Sequence, residues 1–210
     1  MRDSGLEDIE LCELLPVRVY EYHELISSTS DRVREIFSSC SSARSVDCGG
    51  IFPCLVVAGK QAAGRGRGNK KWWSAKGCLM MSFGLELDAE YFPIRREVLP
   101  EFSPIVGNIV SDVLTKYILP SDVIEVHHPN DVCVNRKKIA GILIESPKPN
   151  FVIIGIGINI NNSAKDVPND FDREITTVFD LTGNKTDLRK ILSEFVKAFF
   201  ETIHRNRYER

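Results

Sequence analysis

Residues 122–160 read DVIEVHHPNDVCVNRKKIAGILIESPKPNFVIIGIGINI. Apolar, largely β-branched residues gather in four runs, at 122–127, 131–135, 138–146 and 151–160, with short turns between them. Runs of that length and spacing predict four strands in an antiparallel meander. Upstream, the continuous apolar stretches 52–58 and 78–87 read as buried strands, and the alternation over 17–22 as another. A helix is expected after Ser27-Ser28-Thr29-Ser30, whose hydroxyls can cap free N–H groups, with Val33, Ile36 and Phe37 on one face. A second opens at Ser103-Pro104, proline taking the first helical position, with an apolar stripe from Ile105 to Tyr117. A third runs from 187 to 203, with Leu188, Ile191, Leu192, Phe195, Val196 and Phe199 turned inward. Residues 40–50 and 59–77 read as loops and residues 1–16 as a loose start. The expected fold is α+β: a mixed, largely antiparallel sheet with helices packed on one face.

The chain has 210 residues, 43% hydrophobic and 27% charged. That composition suits one domain with its own core and excludes a mainly disordered chain. A net charge of −2 excludes a uniformly basic nucleic-acid binder. The six cysteines form no Cys-x-x-Cys pair and have no histidine at a ligand-like interval, so no structural zinc site is expected. No signal segment opens the chain and no apolar run reaches about 18 residues. With free thiols this points to a reduced, cytoplasmic protein away from membranes.

Three stretches could carry chemistry. The first is Gly64-Arg65-Gly66-Arg67-Gly68 within the 59–77 loop. Six of the 27 basic residues lie between Lys60 and Lys76 with no acidic one, leaving 21 basic against 29 acidic elsewhere. Glycines let backbone N–H groups approach an anion, and arginines offer planar forks to carboxylate or phosphate. A solvated flexible loop, or a nucleic-acid loop using Trp72 and Trp73 as stacking surfaces, are alternative readings. The order of a P-loop is missing. The second stretch is Pro129-Asn130-Asp131 followed by Lys138-Ile139-Ala140-Gly141. By themselves the first three are an ordinary turn, and Lys138 a solvated strand end. A lysine entering a strand can also aim a point charge into a pocket, with Gly141 clearing space for a ligand. The third is Gly155-Ile156-Gly157-Ile158-Asn159, where alternating glycines imply close approach of a ligand or another backbone.

Taken together, these stretches resemble the catalytic domain of biotin protein ligases over residues 17–203. Ser28-Thr29-Ser30 is similar to the family's Ser-Thr-Asn, with Ser30 in place of asparagine. Gln61, Gly64-Arg65-Gly66-Arg67 and Trp72 resemble its basic loop. The remaining two stretches complete the set in register. The resemblance implies a class II synthetase-like fold and a two-step reaction. Biotin and ATP, with Mg²⁺, give biotinyl-5′-adenylate and pyrophosphate; a lysine of a carboxylase biotin carrier domain then takes the biotin. By the same resemblance Ser28, Thr29, Ser30 and Gln61 meet the ureido ring. Gly64, Arg65, Gly66, Arg67, Lys138 and Gly141 complete the biotin site. Arg67, Lys70, Trp72, Asn130, Lys138 and Asn159 face the nucleotide. Lys138 and Arg67 are the expected catalytic cations, with Asp131 as proton acceptor or orienter in the second step. The basic loop is expected to close over biotin and shield the adenylate. No dedicated protein metal ligand is assigned.

The chain departs from the family pattern at His127-His128, where relatives usually carry Lys-Trp; only one of two adjacent side chains on an extended segment can face the site. Neither an N-terminal DNA-binding domain nor a C-terminal small β-barrel is expected, hence no nucleic-acid partner, and a homodimer is compatible with open sheet edges. The alternative within the fold is a lipoate or octanoate ligase or transferase, whose pocket would lack ureido-binding groups. A noncatalytic nucleic-acid module and a ligase relic that binds biotin only are the other readings.

Overall fold

The computed structural model describes residues 5–42, 51–68, 70–169, 171 and 173–205, so most of the loop expected at 40–50 lies outside the described residues. Its strands are β1 (Val19–His23), β2 (Cys54–Ala58), β3 (Cys78–Glu86), β4 (Ile124–His127), β5 (Asp131–Val134), β6 (Lys137–Lys148) and β7 (Phe151–Asn159). The helices are α1 (Thr29–Ser42), α2 (Leu99–Leu114), α3 (Val178–Thr182) and α4 (Leu188–Arg205). One sheet holds all seven strands in the order β1-β2-β3-β7-β6-β5-β4. The expected meander is present: β4 to β7 pair antiparallel in succession. Asn135 and Arg136, both at positive φ, make the two-residue turn between β5 and β6, a conformation asparagine tolerates well. Among the described strands only β1 and β2 run parallel. A parallel pair needs a crossover, and α1 supplies it.

Side-chain alternation along the strands sorts the core into two layers. Leu55, Val57, Met81, Phe83, Val152 and Ile154 point to the side covered by α2 and α4. There the Phe83 ring stacks on Phe199 of α4 with centroids 4.8 Å apart. Truncating so buried a phenylalanine costs about 3–5 kcal/mol. The alternate residues, Cys54, Val56, Phe151 and Ile153, form a separate cluster with Val33 and Ile36 of α1. Phe37 lies on Phe151 at 4.0 Å. The helices therefore do not share one face, as expected from sequence, but divide: α2 and α4 on one, α1 on the other. The cause is that β2 and the first half of β7 are apolar at every position, which is the pattern of strands covered on both sides.

Three further expectations are corrected. Residues 1–16 are not loose where described: Leu6, Ile9 and Leu14 are buried in the larger core. The Tyr20 hydroxyl donates to the Leu6 carbonyl at 2.6 Å, and Arg189 of α4 pairs with Glu13. The second helix starts at Leu99 rather than at 103, because Leu99 and Phe102 add buried contacts and Pro100 occupies the first turn, where an N–H is not needed. Pro104 then sits inside the helix. The first strand begins at Val19 and reaches His23. Helix α3, unforeseen, is capped by Thr177, whose Oγ1 accepts from the Asp180 N–H at 2.9 Å. Among the described residues no helix is long and apolar enough to cross a membrane.

Candidate active site

Helix α1 covers only part of its face of the sheet. Past its N-terminus the same face carries small residues at aligned positions: Gly155 of β7 pairs with Ser82 of β3, and Gly157 with Gly141 of β6. Asp131 of β5 continues the second row beside Gly141. A cleft of about 550 Å³ opens over this floor, a size suited to a small-molecule ligand. The glycines are small because of what lies on them. A Cβ at Gly157 would stand 2.4 Å from Cε2 and Cζ2 of the Trp72 indole. One at Gly141 would stand 3.1 Å from both Lys138 Nζ and Trp72 Cζ3, and one at Gly155 3.0 Å from Ser30 Oγ. Close approach was expected there; side chains of the protein itself make it.

One end of the cleft is polar and uncharged. Ser28, Thr29 and Ser30 begin α1, all buried. Gln61 Oε1 accepts from the Thr29 N–H at 2.8 Å and from its hydroxyl at 3.1 Å. Ser82 Oγ lies 2.7 Å from Thr29 Oγ1 and 3.0 Å from Ser30 Oγ. Helix start, loop and sheet are thus tied by one hydroxyl–amide network. Ser82 escaped the sequence reading. Its signal was a single hydroxyl in the otherwise apolar run from Cys78 to Leu85, on the same face as the glycines.

The other end is cationic. Lys138 Nζ lies 2.6 Å from Asp131 Oδ1, and Arg173 pairs with Asp131 Oδ2. Lys138 also sits over the Trp72 ring, 5.6 Å from its centroid. Of the two roles expected for Asp131, orienting fits this geometry better than accepting a proton, because both oxygens already face cations. Arg67 and Lys70 line the cleft and are exposed. Residues 64–68 and 70–72 pair as a small hairpin over the floor: the Gly66 N–H donates to the Lys70 carbonyl at 2.8 Å, and the Trp72 N–H to Gly64 at 2.9 Å. Gly64 is buried at its base, while Gly66 lines the cleft.

Arg65 departs from expectation. Its guanidinium spans both oxygens of Asp31 on α1, at 2.6 and 2.7 Å. Arg65 holds the Asp31 carboxyl below its ordinary range, and Asp31 in turn raises Arg65. The side chain therefore anchors the hairpin to α1; any anion contact from Arg65 falls to its backbone. Asn130 and Asn159 both border the cleft. Asn130 Nδ2 donates to the Ile142 carbonyl at 3.0 Å. Asn159 Oδ1 accepts from Asn162 at 3.2 Å and from the Cys78 thiol at 3.4 Å, a thiol whose pKa burial pushes up to about 12. Neither His127 nor His128 lines the cleft; both are exposed, and His127 leans 3.4 Å from Glu125. Among the described residues no group of three or more His, Cys, Asp or Glu side chains could hold a metal ion.

Comparison with known proteins gives a consistent picture. A sequence model of the biotin/lipoate A/B protein ligase family matches residues 53–161. The bifunctional ligase/repressor BirA of Bacillus subtilis is 29% identical over 184 residues, 85% of this chain and 51% of that protein. Biotin–protein ligase 1, chloroplastic, of Arabidopsis thaliana is 37% identical over 141 residues, 65% of this chain and 35% of that one. The chain thus spans about half the length, or less, of these relatives. Among solved structures, biotin protein ligase from Leishmania major in complex with biotinyl-5-AMP superposes with a TM-score of 0.72 at 26% identity. The match covers 89% of this chain and 75% of that one.

Proposed function

The chain belongs to the biotin/lipoate A/B protein ligase family, and from that premise we propose that it is an ATP-dependent biotin protein ligase. The observation that carries the reading is the cleft's polarity: a neutral hydroxyl–amide cluster at one end and Lys138, Arg67 and Arg173 at the other. Biotin matches it end for end, with an uncharged ureido ring and a carboxylate tail. A lipoyl or octanoyl chain has nothing polar to give Ser28, Thr29, Ser30, Ser82 and Gln61, and covering the hydrogen-bonding capacity their mutual bonds leave over is costly.

The first step joins two anions. The biotin carboxylate oxygen attacks the α-phosphorus of ATP, the bond to the β-phosphate oxygen breaks, and pyrophosphate leaves. Lys138 and Arg67 supply positive charge where the two anions meet, and stabilise the five-coordinate transition state. Lys70, Asn130 and Asn159 take the nucleotide side, and Trp72 walls the cleft between the two substrates. The Gly64–Gly66 backbone closes over the acid. Mg²⁺ would arrive with the phosphates and neutralise part of their charge. The described residues form no cage for it, and no step is assigned to it. In the second step a carrier lysine, as free amine, attacks the adenylate carbonyl and AMP leaves. The acceptor is the biotin carrier domain of a carboxylase. A reduced, cytoplasmic setting agrees with the free, buried thiols of Cys78 and Cys133.

Calorimetric titration tests the polarity argument. Biotin should bind at least about tenfold more tightly than octanoate, which shares the carboxylate and lacks the ureido group. Equal affinities, or a preference for octanoate or lipoate, would move the chain to the lipoyl side of its family.

A further inference from the structure

We propose that Arg173 is a positioning residue for Lys138, acting through Asp131, and that residues 173–177 are the strap that holds all three in place. This rests on the ligase reading only for what Lys138 does; the arrangement itself stands on geometry. Pairing between β6 and β7 ends at Ala140 and Ile158, so Lys138 lies beyond the reach of β7. The strap takes that place. The Lys138 N–H donates to the Glu174 carbonyl at 2.9 Å, and the Thr176 N–H donates to the Lys138 carbonyl at 2.9 Å, a parallel bridge centred on Ile175. Its far end is pinned by buried Thr176 and Thr177, the latter capping α3. The strap therefore fixes the Lys138 backbone, and Arg173 at its start reaches the side chain's partner.

Asp131 is only 8% exposed and meets two cations, one on each oxygen. A lone buried carboxylate 2.6 Å from Lys138 would cancel the charge that an anionic substrate needs. Sharing it with Arg173 leaves the trio at +1. Lys138 stays oriented by Asp131, yet its field toward the cleft survives. Arginine suits the task because its guanidinium holds its proton at every working pH. Arg67 and Lys70 are exposed and screened by water; Arg173, though itself half exposed, differs in meeting the buried Asp131 carboxylate directly.

Two readouts decide the matter. The first needs no catalysis: acylation of Lys138 by acetic anhydride, followed by mass spectrometry with exposed Lys190 as internal standard. Only the free amine reacts. In Arg173→Gln the undivided carboxylate should hold the Lys138 ammonium more tightly and slow its labelling several-fold. Arg173→Lys should restore the rate. Labelling of Lys138 that is unchanged or faster in Arg173→Gln overturns the proposal. The second readout is biotin-dependent pyrophosphate release. Arg173→Gln should lower kcat about tenfold with KM for ATP within about twofold, and should cost nothing further in an Asp131→Asn background. A loss that persists in that background, or a rise in KM for ATP alone, would mean that Arg173 grips the nucleotide directly and would overturn it as well. Should wild-type protein release no pyrophosphate with any acid, the ligase reading fails, while the labelling experiment still decides the role of Arg173.

Discussion

Replacing Gly157 by alanine tests the floor of the cleft. The new methyl group would lie 2.4 Å from two atoms of the Trp72 ring. Carbon atoms rest about 3.5–4.0 Å apart, so the indole must move by about 1 Å or more. It cannot slide along the floor, because its Cζ3 already crowds Gly141 and Lys138 lies over it. It must rise into the cleft, lifting the hairpin that the Trp72 N–H ties to Gly64. Displacements of about 1 Å in a positioning element cost up to about a hundredfold in rate. The strand itself should tolerate the change, since alanine is favoured over glycine there by about 0.5–1 kcal/mol. The expected result is a normal melting curve, shifted tryptophan emission and a kcat/KM for biotin-dependent pyrophosphate release about tenfold to a hundredfold down. Trp72 and Trp73 are the chain's two tryptophans, so the emission reports on this loop directly. A folded variant with wild-type rate and unchanged emission would refute the reasoning.

Lys138→Ala should leave the melting curve near wild type and cut pyrophosphate release by about 10²–10³, the usual cost of one transition-state charge contact. Ser82→Ala removes the hydroxyl bridging Thr29 and Ser30; urea unfolding should show a loss of about 1–3 kcal/mol, and calorimetry a several-fold weaker biotin affinity. Asp31→Asn breaks the pairs with Arg65 and Arg34. Arg65 depresses the folded-state pKa of Asp31, so its contribution is present above the unfolded carboxylate value of about 4 and disappears as pH falls through the folded value. Each partner is over a third exposed, which limits the gap between wild type and variant to about 1 kcal/mol at neutral pH. Urea midpoints should converge in acid, and a gap that widens there would contradict the assignment.

The meander was legible from the length of its apolar runs and the short turns between them, and the three long helices from apolar residues that keep one helical period. The split of helices between two faces was also written in the sequence, in strands β2 and β7 that do not alternate, but a two-sided strand does not say which helix covers which side. The start of α2 was hidden because proline at 100 and at 104 both fit a first turn; burial of Leu99 and Phe102 decided between them. At the site, motif residues on one segment were readable and partners on distant segments were not. Arg65 reads as an anion-binding side chain until α1 brings Asp31 to it, 34 positions away in sequence. Arg173 stands 42 positions from Asp131 in a stretch without periodicity, so only the folded chain reveals their meeting. The glycines at 155 and 157 signalled close approach of a ligand or another backbone; the side chains of Ser30 and Trp72 make it instead, which only the tertiary fold reveals.

The most direct test of the account is adenylation by the purified chain. The protein is mixed with ATP, Mg²⁺ and either biotin, lipoate or octanoate, and pyrophosphate is measured without any carrier. Release should depend on biotin and be lost in Lys138→Ala. Release with lipoate or octanoate but not biotin, or release from folded Lys138→Ala at the wild-type rate, would contradict the account.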